Sequence, residues 1–269
     1  MTLRRSFWTS VENLHHWVYL VPDAKARYEA IGLKGQWMGY FASRSAALGT
    51  PGPEVVTALF HGFSPKLVHR ALPTAWELGD RDQILATRYE HARDVLRPGV
   101  EASGVDPARS AEVLQEVLPT LDLVVRPLAA AHVALPAPDD VLGRLFHGAT
   151  VLREYRGDAH LGVLSTQALN GVDANVLNVA AGLTFPNQQQ LRGWTDEEWA
   201  AGVARLQERG WLDDDGAVTA DGGAARSSIE DQTDTAVLAG VPQDSRDLLA
   251  TVADDLKAMS KAVVAHHVG

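Results

Sequence analysis

Two arginines and a histidine lie close together in one strongly helical stretch, residues 149–160, which continues to Leu169. At about 100° per residue, Arg153, Arg156 and His160 fall on one stripe of such a helix. Guanidinium groups bind carboxylates through paired N–H donors, and an imidazole transfers protons near neutral pH. We therefore expect the two arginines and His160 to bind an anionic small molecule, with His160 as a catalytic acid or base.

This cationic stripe runs beside an apolar stripe of the same helix. Gly157 also lies on the cationic stripe, where glycine costs about 1 kcal/mol relative to alanine, a cost that the close approach of a ligand would explain. Two other interpretations stay open. The arginines pair with carboxylates on neighbouring helices, or Arg156 to Asp158 is a helix break with Asp158 as the next cap. The apolar stripe consists of Leu152, Tyr155, Ala159 and Val163.

The same stretch carries two carboxylates, Glu154 and Asp158, four residues apart on the far side of the helix. A pair at this spacing could act as general acid and general base. The pattern favours instead a solvent-exposed face, because the apolar stripe lies on the opposite side.

A second polar group follows from Tyr40 and Arg44, which are one helical turn apart and follow Trp37 by one turn. We predict that Tyr40 is catalytic and that Arg44 binds the ligand, both at the mouth of an aromatic pocket. Ordinary helix packing is the alternative. A weak similarity between residues 55–65 and 176–186 suggests a duplicated helical unit, which would place the two polar groups in similar positions.

Ten histidines make metal or haem ligation worth considering. His16 and His61 are predicted to bind ligand, and together with His147 and His160 they could surround a metal or haem iron. No His-x-x-x-His spacing occurs, so no metal site and no cofactor are predicted, although the residue types do not exclude histidine-bound haem or a divalent metal.

Composition sets further bounds. The 269 residues are enough for a sizeable core and contain no cysteine, which removes disulfides and thiolate chemistry and fits a cytoplasmic protein. The first residues include two arginines but no apolar run, so no signal peptide is expected, and no stretch is long enough to span a membrane. A net charge of −10 argues against broad binding to DNA or anionic membranes.

Two sequence motifs that mark common enzyme classes are absent. Neither a glycine-rich phosphate loop nor a Gly-x-Ser-x-Gly motif occurs in the sequence, so nucleotide chemistry and serine hydrolase chemistry have no support from it.

The hydrophobic pattern predicts a mainly α protein. Arg97-Pro-Gly99 through Gly104 reads as a break between two packed helical units, residues 1–99 and 105–269. In the second unit, Thr195-Asp-Glu-Glu198 forms a capping box before a helix that ends at Gly210. The residues 211–219 that follow predict a short β-hairpin with an acidic turn.

Residues 206–234 resemble the recognition helix, wing and following helix of a MarR-type winged-helix domain. Nearly the whole chain also resembles an actinobacterial helix-turn-helix family whose members occur among natural-product biosynthetic genes. The resemblance implies two winged-helix-like units, the second with a β-hairpin wing. It rests on Leu14-His15, Gly39 to Arg44, Leu48-Gly49, Phe63-Ser-Pro65, Ala71-Leu-Pro73, Trp76, Arg156-Gly-Asp158 and His160, besides the winged segment.

The predicted recognition helix departs from that of a DNA reader, which needs cationic or amide side chains for phosphates and base edges. Asp196, Glu197, Glu198 and Glu208 outnumber two arginines there, and the predicted wing reads Asp213-Asp-Asp-Gly216. DNA is therefore not the expected partner. We expect a cytoplasmic small-molecule-binding protein of secondary metabolism, with acid–base chemistry in a pocket between the units. A ligand-sensing winged-helix regulator is the alternative, and the sequence leaves room for a homodimer.

Overall fold

The fold is built from α-helices. The computed structural model describes residue 3 and residues 5–268, and two 3-10 turns, Ala46–Leu48 and Leu118–Thr120, extend neighbouring helices. Within this described part, no helix is long and apolar enough to cross a membrane. The α-helices are α1 Arg5–Leu20, α2 Ala24–Glu29, α3 Gly35–Ser45, α4 Pro53–Leu59, α5 Pro65–Ala71, α6 Thr74–Leu78, α7 Arg81–Ser103, α8 Pro107–Val117, α9 Pro127–Val133, α10 Val141–Thr166, α11 Gly171–Ala180, α12 Gln188–Arg192, α13 Asp196–Glu208, α14 Ala220–Ala239, α15 Gln243–Ala250 and α16 Ala253–Val268.

Helix α10 is the central element of the molecule. The side chain of Asp140 caps its first turn by accepting a hydrogen bond from the Gly143 N–H. The helix packs against α1, α7, α8, α9 and α14, and residues on all its sides are buried, as a surrounded helix requires. It continues without interruption through residues 156–158, so the interpretation of a helix break there is wrong.

Neighbouring helices also overturn the expected solvent-exposed face of α10. The side chain of Glu154 is 1% exposed, and Asp158 is 7% exposed. Periodicity placed both carboxylates opposite the apolar stripe, but it could not show that other helices cover that side as well.

The apolar core has three parts. The largest joins α1, α7, α8, α10, α15 and α16, the second lies among α2 to α7, and the third joins the end of α10 to α11, α13 and α14. Tyr40 packs against both the first and the second part. The side chains of α3 therefore reach the place where these two parts of the core meet α10.

The break expected at residues 97–104 is absent, because α7 is continuous to Ser103 and ends only at Gly104, which has a left-handed backbone. Gly99 permits the continuous helix to pack closely: a Cβ at this position would lie 2.4 Å from the Cα of Val263 on α16. The division into units 1–99 and 105–269 stays a prediction. Residues 1, 2, 4 and 269, which belong to those units and to the expectation about the amino terminus, lie outside the described residues.

The predicted β-hairpin wing is wrong for the described residues. Residues 211–219 form a tight turn closed by one isolated antiparallel bridge between Leu212 and Val218, with no strand. The second arm stops at once, because Thr219 accepts a hydrogen bond from the Gly222 N–H and so begins α14. The capping box of Thr195 before α13, by contrast, is confirmed.

Candidate ligand-binding site

Two cavities adjoin each other on one side of α10, and three arginines lie in the lining of both: Arg44, Arg153 and Arg192, here called the arginine wall. The first cavity, the polar chamber, has a volume of about 280 Å³ and is lined beyond the wall mainly by His61, Asp158, His160, Asn175 and Asn178. The second, the aromatic chamber, has about 590 Å³ and is lined by Tyr19, Trp37, Tyr40, Leu183, Phe185 and Leu191. The volume of the aromatic chamber lies within the range of ordinary small-molecule sites, and that of the polar chamber lies just below it.

Glu154 forms ion pairs with two members of the arginine wall. Arg44 donates to it from Nε at 2.8 Å and from Nη2 at 2.7 Å, and Arg153 donates from Nη1 at 2.8 Å. Burial by itself would raise the pKa of Glu154, but the guanidinium groups of Arg44 and Arg153 hold it well below its usual range. The carboxylate is therefore charged, and it fixes both arginines in place.

Tyr40 lies against the same wall from the side of the aromatic chamber. Its hydroxyl oxygen accepts a hydrogen bond from Nη1 of Arg44 at 2.9 Å. Burial would raise the pKa of Tyr40, yet the positive charges of Arg44, Arg192 and Arg153 outweigh it and lower the pKa. The structure thus brings together Tyr40 and Arg44 as expected and makes the phenol a stronger acid than an ordinary tyrosine.

Arg192, the third member of the wall, was missed by sequence reasoning. Its Nε donates to Oε1 of Gln188 at 3.1 Å, and its guanidinium lies 4.2 Å from the centroid of the Phe63 ring. Among the described residues, no carboxylate forms an ion pair with it, and burial lowers its pKa. Nothing in the short polar segment around it signals this role, since only the tertiary fold brings α12 to the chambers.

The two arginines of α10 that were predicted to bind a ligand, Arg153 and Arg156, have different surroundings in the structure. Arg153 belongs to the wall and also donates from Nε to Glu12 at 3.0 Å. Arg156 lines neither chamber; its Nη2 donates to Glu230 at 2.6 Å and to Asp234 at 3.0 Å. For Arg156 the structure therefore shows the alternative arrangement, pairing with carboxylates of the neighbouring helix α14.

His160 and His61 line the polar chamber as neutral groups. Burial lowers the pKa of His160 to about 4 and lowers that of His61 as well. Because burial favours the neutral ring, the lowered pKa argues against His160 as a proton shuttle near neutral pH, the role expected from its sequence. Its place in the site fits hydrogen bonding, through a ring whose Nδ1 lies 3.0 Å from the Thr233 hydroxyl.

Asp158 is one of the residues that line the polar chamber. Its Oδ2 accepts the backbone N–H groups of Leu128 and Ala129, both at 3.0 Å, and so caps helix α9. Burial raises the pKa of Asp158 to about 6, with the negative charge of Glu154 acting in the same direction against the two N–H groups. The sequence had offered Asp158 as one member of an acid–base pair; its partner Glu154 belongs instead to the arginine wall.

The other predicted histidines are dispersed. His16 lines the aromatic chamber, and its Nδ1 donates to the Glu12 carbonyl at 2.9 Å. His147 lines neither chamber and lies 2.7 Å from the hydroxyl of Tyr89. Among the described residues, no group of three or more histidine, aspartate or glutamate side chains could hold a metal ion.

Comparison with known proteins adds one relationship. No curated protein and no solved structure matches the chain. A family model described as "Helix-turn-helix family" matches residues 4–269, nearly the whole chain. The protein therefore belongs to this helix-turn-helix family.

Proposed function

We propose that the two chambers bind a small organic anion with an aromatic part, and that the protein is an acid–base enzyme of secondary metabolism. The observation that carries this proposal is Arg192, a guanidinium at the junction of both chambers without a carboxylate partner among the described residues. Since Glu154 and Glu12 already pair with Arg44 and Arg153, an anionic ligand at Arg192 would complete the charge balance of the wall.

The chemistry is assigned to Tyr40. A phenol whose pKa is lowered by adjacent guanidinium groups is a good proton acceptor once it is ionised, and a good donor before that. Tyr40 borders the chamber that would hold the ring of the ligand. Proton transfer at a carbon or oxygen next to that ring, as in an isomerisation, cyclisation or elimination, needs no cofactor. A role for haem or a metal is not part of the proposal.

The test is calorimetric titration of the protein with 3-phenylpropionate, an aromatic carboxylate small enough for the aromatic chamber. We expect binding that Arg192→Gln weakens by roughly tenfold or more, since a hydrogen-bonded charge contributes about 1.5–3 kcal/mol. Arg97→Gln is the matched control, because Arg97 is exposed on α7. Equal affinity in the wild type and Arg192→Gln, or no binding by the wild type, would contradict the proposal.

Family membership favours a second candidate, a ligand-sensing transcriptional regulator. Helix α13 packs on α11, as the second helix of such a motif does. Arg205 on α13 donates to the carboxylate of Asp173, at 2.7 Å from Nη2 and at 3.0 and 3.3 Å from Nε. Arg205 is one of the two arginines near the predicted DNA-facing surface, and its ion pair with Asp173 leaves it less available to bind phosphate. Arg209, the other, donates to the carbonyls of Gln167 and Ala168.

Several finer expectations stay proposals. They are the MarR-type relationship of the second unit, an actinobacterial source, a place near biosynthetic genes, a cytoplasmic location and a homodimer. Each is consistent with the helix-turn-helix family, and none is needed for the ligand-binding proposal.

A further inference from the structure

The walls of the two chambers carry one unbalanced charge of each sign. Arg192 has no carboxylate partner, and Asp158 has no cationic partner, in the part of the chain that the structure describes. Asp158 is 7% exposed, and Arg192 is half-buried, with its guanidinium 4.2 Å from the centroid of the Phe63 ring. A partly or fully buried charge without an ionic partner is costly, so this arrangement suits a ligand with both a negative and a positive group.

Hydrogen bonding fixes which atoms the polar chamber offers. The hydroxyl of Thr233 donates to the Ile229 carbonyl at 2.8 Å, so it accepts from Nδ1–H of His160. In a neutral ring the other nitrogen, Nε2, then carries a lone pair. The Leu169 carbonyl can only accept, which places the proton of His61 on Nε2 and the lone pair on Nδ1.

Two further acceptors complete the set. Asn175 donates from Nδ2 to the carbonyls of Gly62 at 2.7 Å and Gly171 at 2.8 Å, which leaves its Oδ1 as an acceptor. Asp158 uses Oδ2 for the N–H groups of α9, which leaves Oδ1. Neither Oδ1 of Asn175 nor Oδ1 of Asp158 belongs to the fully buried side-chain atoms that lack a hydrogen-bond partner. His61, His160, Asn175 and Asp158 all line the polar chamber. Residues that together carry two imidazole lone pairs, an amide oxygen and a carboxylate oxygen suit a group with several N–H donors.

We propose that the ligand is zwitterionic: its carboxylate binds at Arg192, its protonated amine binds at Asp158 beside His61 and His160, and its ring occupies the aromatic chamber. An aromatic α-amino acid unit carries these three groups, a carboxylate, an ammonium group and a ring on a short arm, around one carbon atom. The inference rests on the proposed function and specifies the class of molecule that the same site takes.

The experiment compares three probes that share one ring: L-phenylalanine with both charges, 3-phenylpropionate with the carboxylate alone, and 2-phenylethylamine with the amine alone. Calorimetric titration of the full chain gives the three dissociation constants. We expect L-phenylalanine to bind at least about tenfold more tightly than either single-charge probe, because each buried charge gains a partner.

Asp158→Asn is the diagnostic variant. Its amide oxygen can still accept the N–H groups of Leu128 and Ala129, so the cap of α9 is retained, while the negative charge is lost. We expect the affinity for L-phenylalanine to fall to the level of 3-phenylpropionate, whose own binding does not weaken. His160→Leu, which removes the lone pair without a charge change, should lower the preference for the amine severalfold. Asp214→Asn, in the exposed turn, is the control.

The outcomes separate the two proposals. Equal binding of 3-phenylpropionate and L-phenylalanine, or an unchanged preference in Asp158→Asn, overturns the zwitterion and leaves the anion site intact. Failure of both carboxylates to bind overturns the anion site as well. Binding of 2-phenylethylamine as tight as that of L-phenylalanine removes Arg192 from ligand recognition and overturns the zwitterion.

Discussion

Arg44 on α3 and Glu154 on α10, separated by 110 residues in the sequence, form a two-pronged ion pair in the interior of the protein. The side chains are 9% and 1% exposed. Arg153 joins the same carboxylate. The pair therefore connects α3 to the central helix at the point where both chambers meet.

Replacing Glu154 by glutamine should destabilise the fold strongly. The change leaves the buried Arg44 without its charge partner, a loss that costs about 3–5 kcal/mol in comparable pairs. Urea denaturation measures it, and Glu101→Gln, at an exposed position on α7, should change stability by less than about 0.5 kcal/mol. A loss for Glu154→Gln as small as that of the control would show that the pair contributes little.

One tyrosine should ionise well before the others. The chain has five tyrosines; burial raises the pKa of Tyr19 and, to about 12, that of Tyr89, and it also raises those of Tyr28 and Tyr155. Only Tyr40 has a lowered pKa among them. A spectrophotometric titration of phenolate should therefore show the absorbance of one ring below pH 10.

That first step should disappear in Tyr40→Phe, while Tyr89→Phe should leave it in place. If the wild type shows no phenolate before the common transition, the arginine wall does not activate Tyr40, and its proposed catalytic role is lost.

The free energy of unfolding should decrease as the pH is lowered below 6.5, because several histidines are buried as neutral rings. Burial lowers the pKa of His160 and His147 to about 4 and that of His132 to about 3, against 6.5 for the unfolded chain. The unfolded state then binds more protons between pH 6.5 and about 4, so the free energy of unfolding decreases as the pH falls. Asp158, whose pKa is raised to about 6, opposes this trend in part.

His160→Gln should reduce that pH dependence, because it removes one of the groups that the unfolded state protonates preferentially. Urea denaturation of wild type and variant across this range gives the difference, in which the carboxylates common to both proteins cancel. Parallel curves for the two proteins would show that His160 is not buried as a neutral ring.

Gly157→Ala should separate stability from binding. A Cβ at this position would lie 3.4 Å from Nη1 of Arg153, which is ordinary contact, so the helix should gain about 1 kcal/mol. The added methyl group also enters the polar chamber and should weaken ligand binding. Gly162→Ala on the same helix, where a Cβ meets nothing within 4 Å, should give the gain in stability alone. Identical ligand affinities in the two variants would argue against a ligand next to Gly157.

DNA binding should be absent at low salt in an electrophoretic shift assay with DNA from upstream of the gene. The exposed acids Asp196, Glu197 and Glu208 on α13, and Asp213 to Asp215 in the turn, would repel phosphates. The variant Asp214→Lys with Asp215→Lys should gain non-specific affinity. A salt-sensitive shift by the wild type would instead favour the regulator.

Local rules were sufficient for the helical class of the protein and for the start of one helix. The capping box at Thr195 follows from a side chain that accepts the N–H group three residues onward. Spacing along α10 also placed Arg153 and His160 on the side that meets the cavities. In each case the partners are neighbours in the sequence, so the energy that decides the conformation is local.

Tertiary packing decided which charges are balanced. Glu154 and Arg44 meet only because α3 packs near α10, and the same packing turned an expected solvent face into the interior. Arg192 reaches the chambers from a short helix with no distinctive sequence pattern. Arg156, whose spacing on α10 predicted a ligand contact, instead forms ion pairs with the carboxylates of Glu230 and Asp234 on α14. The sequence by itself determined a helical protein with a cationic stripe beside its core. Which arginine lacks a carboxylate partner, and can therefore bind a ligand, depends on contacts between segments that are distant in the sequence. The reason is that the strength of an ion pair depends on the distance between the charges in the folded protein.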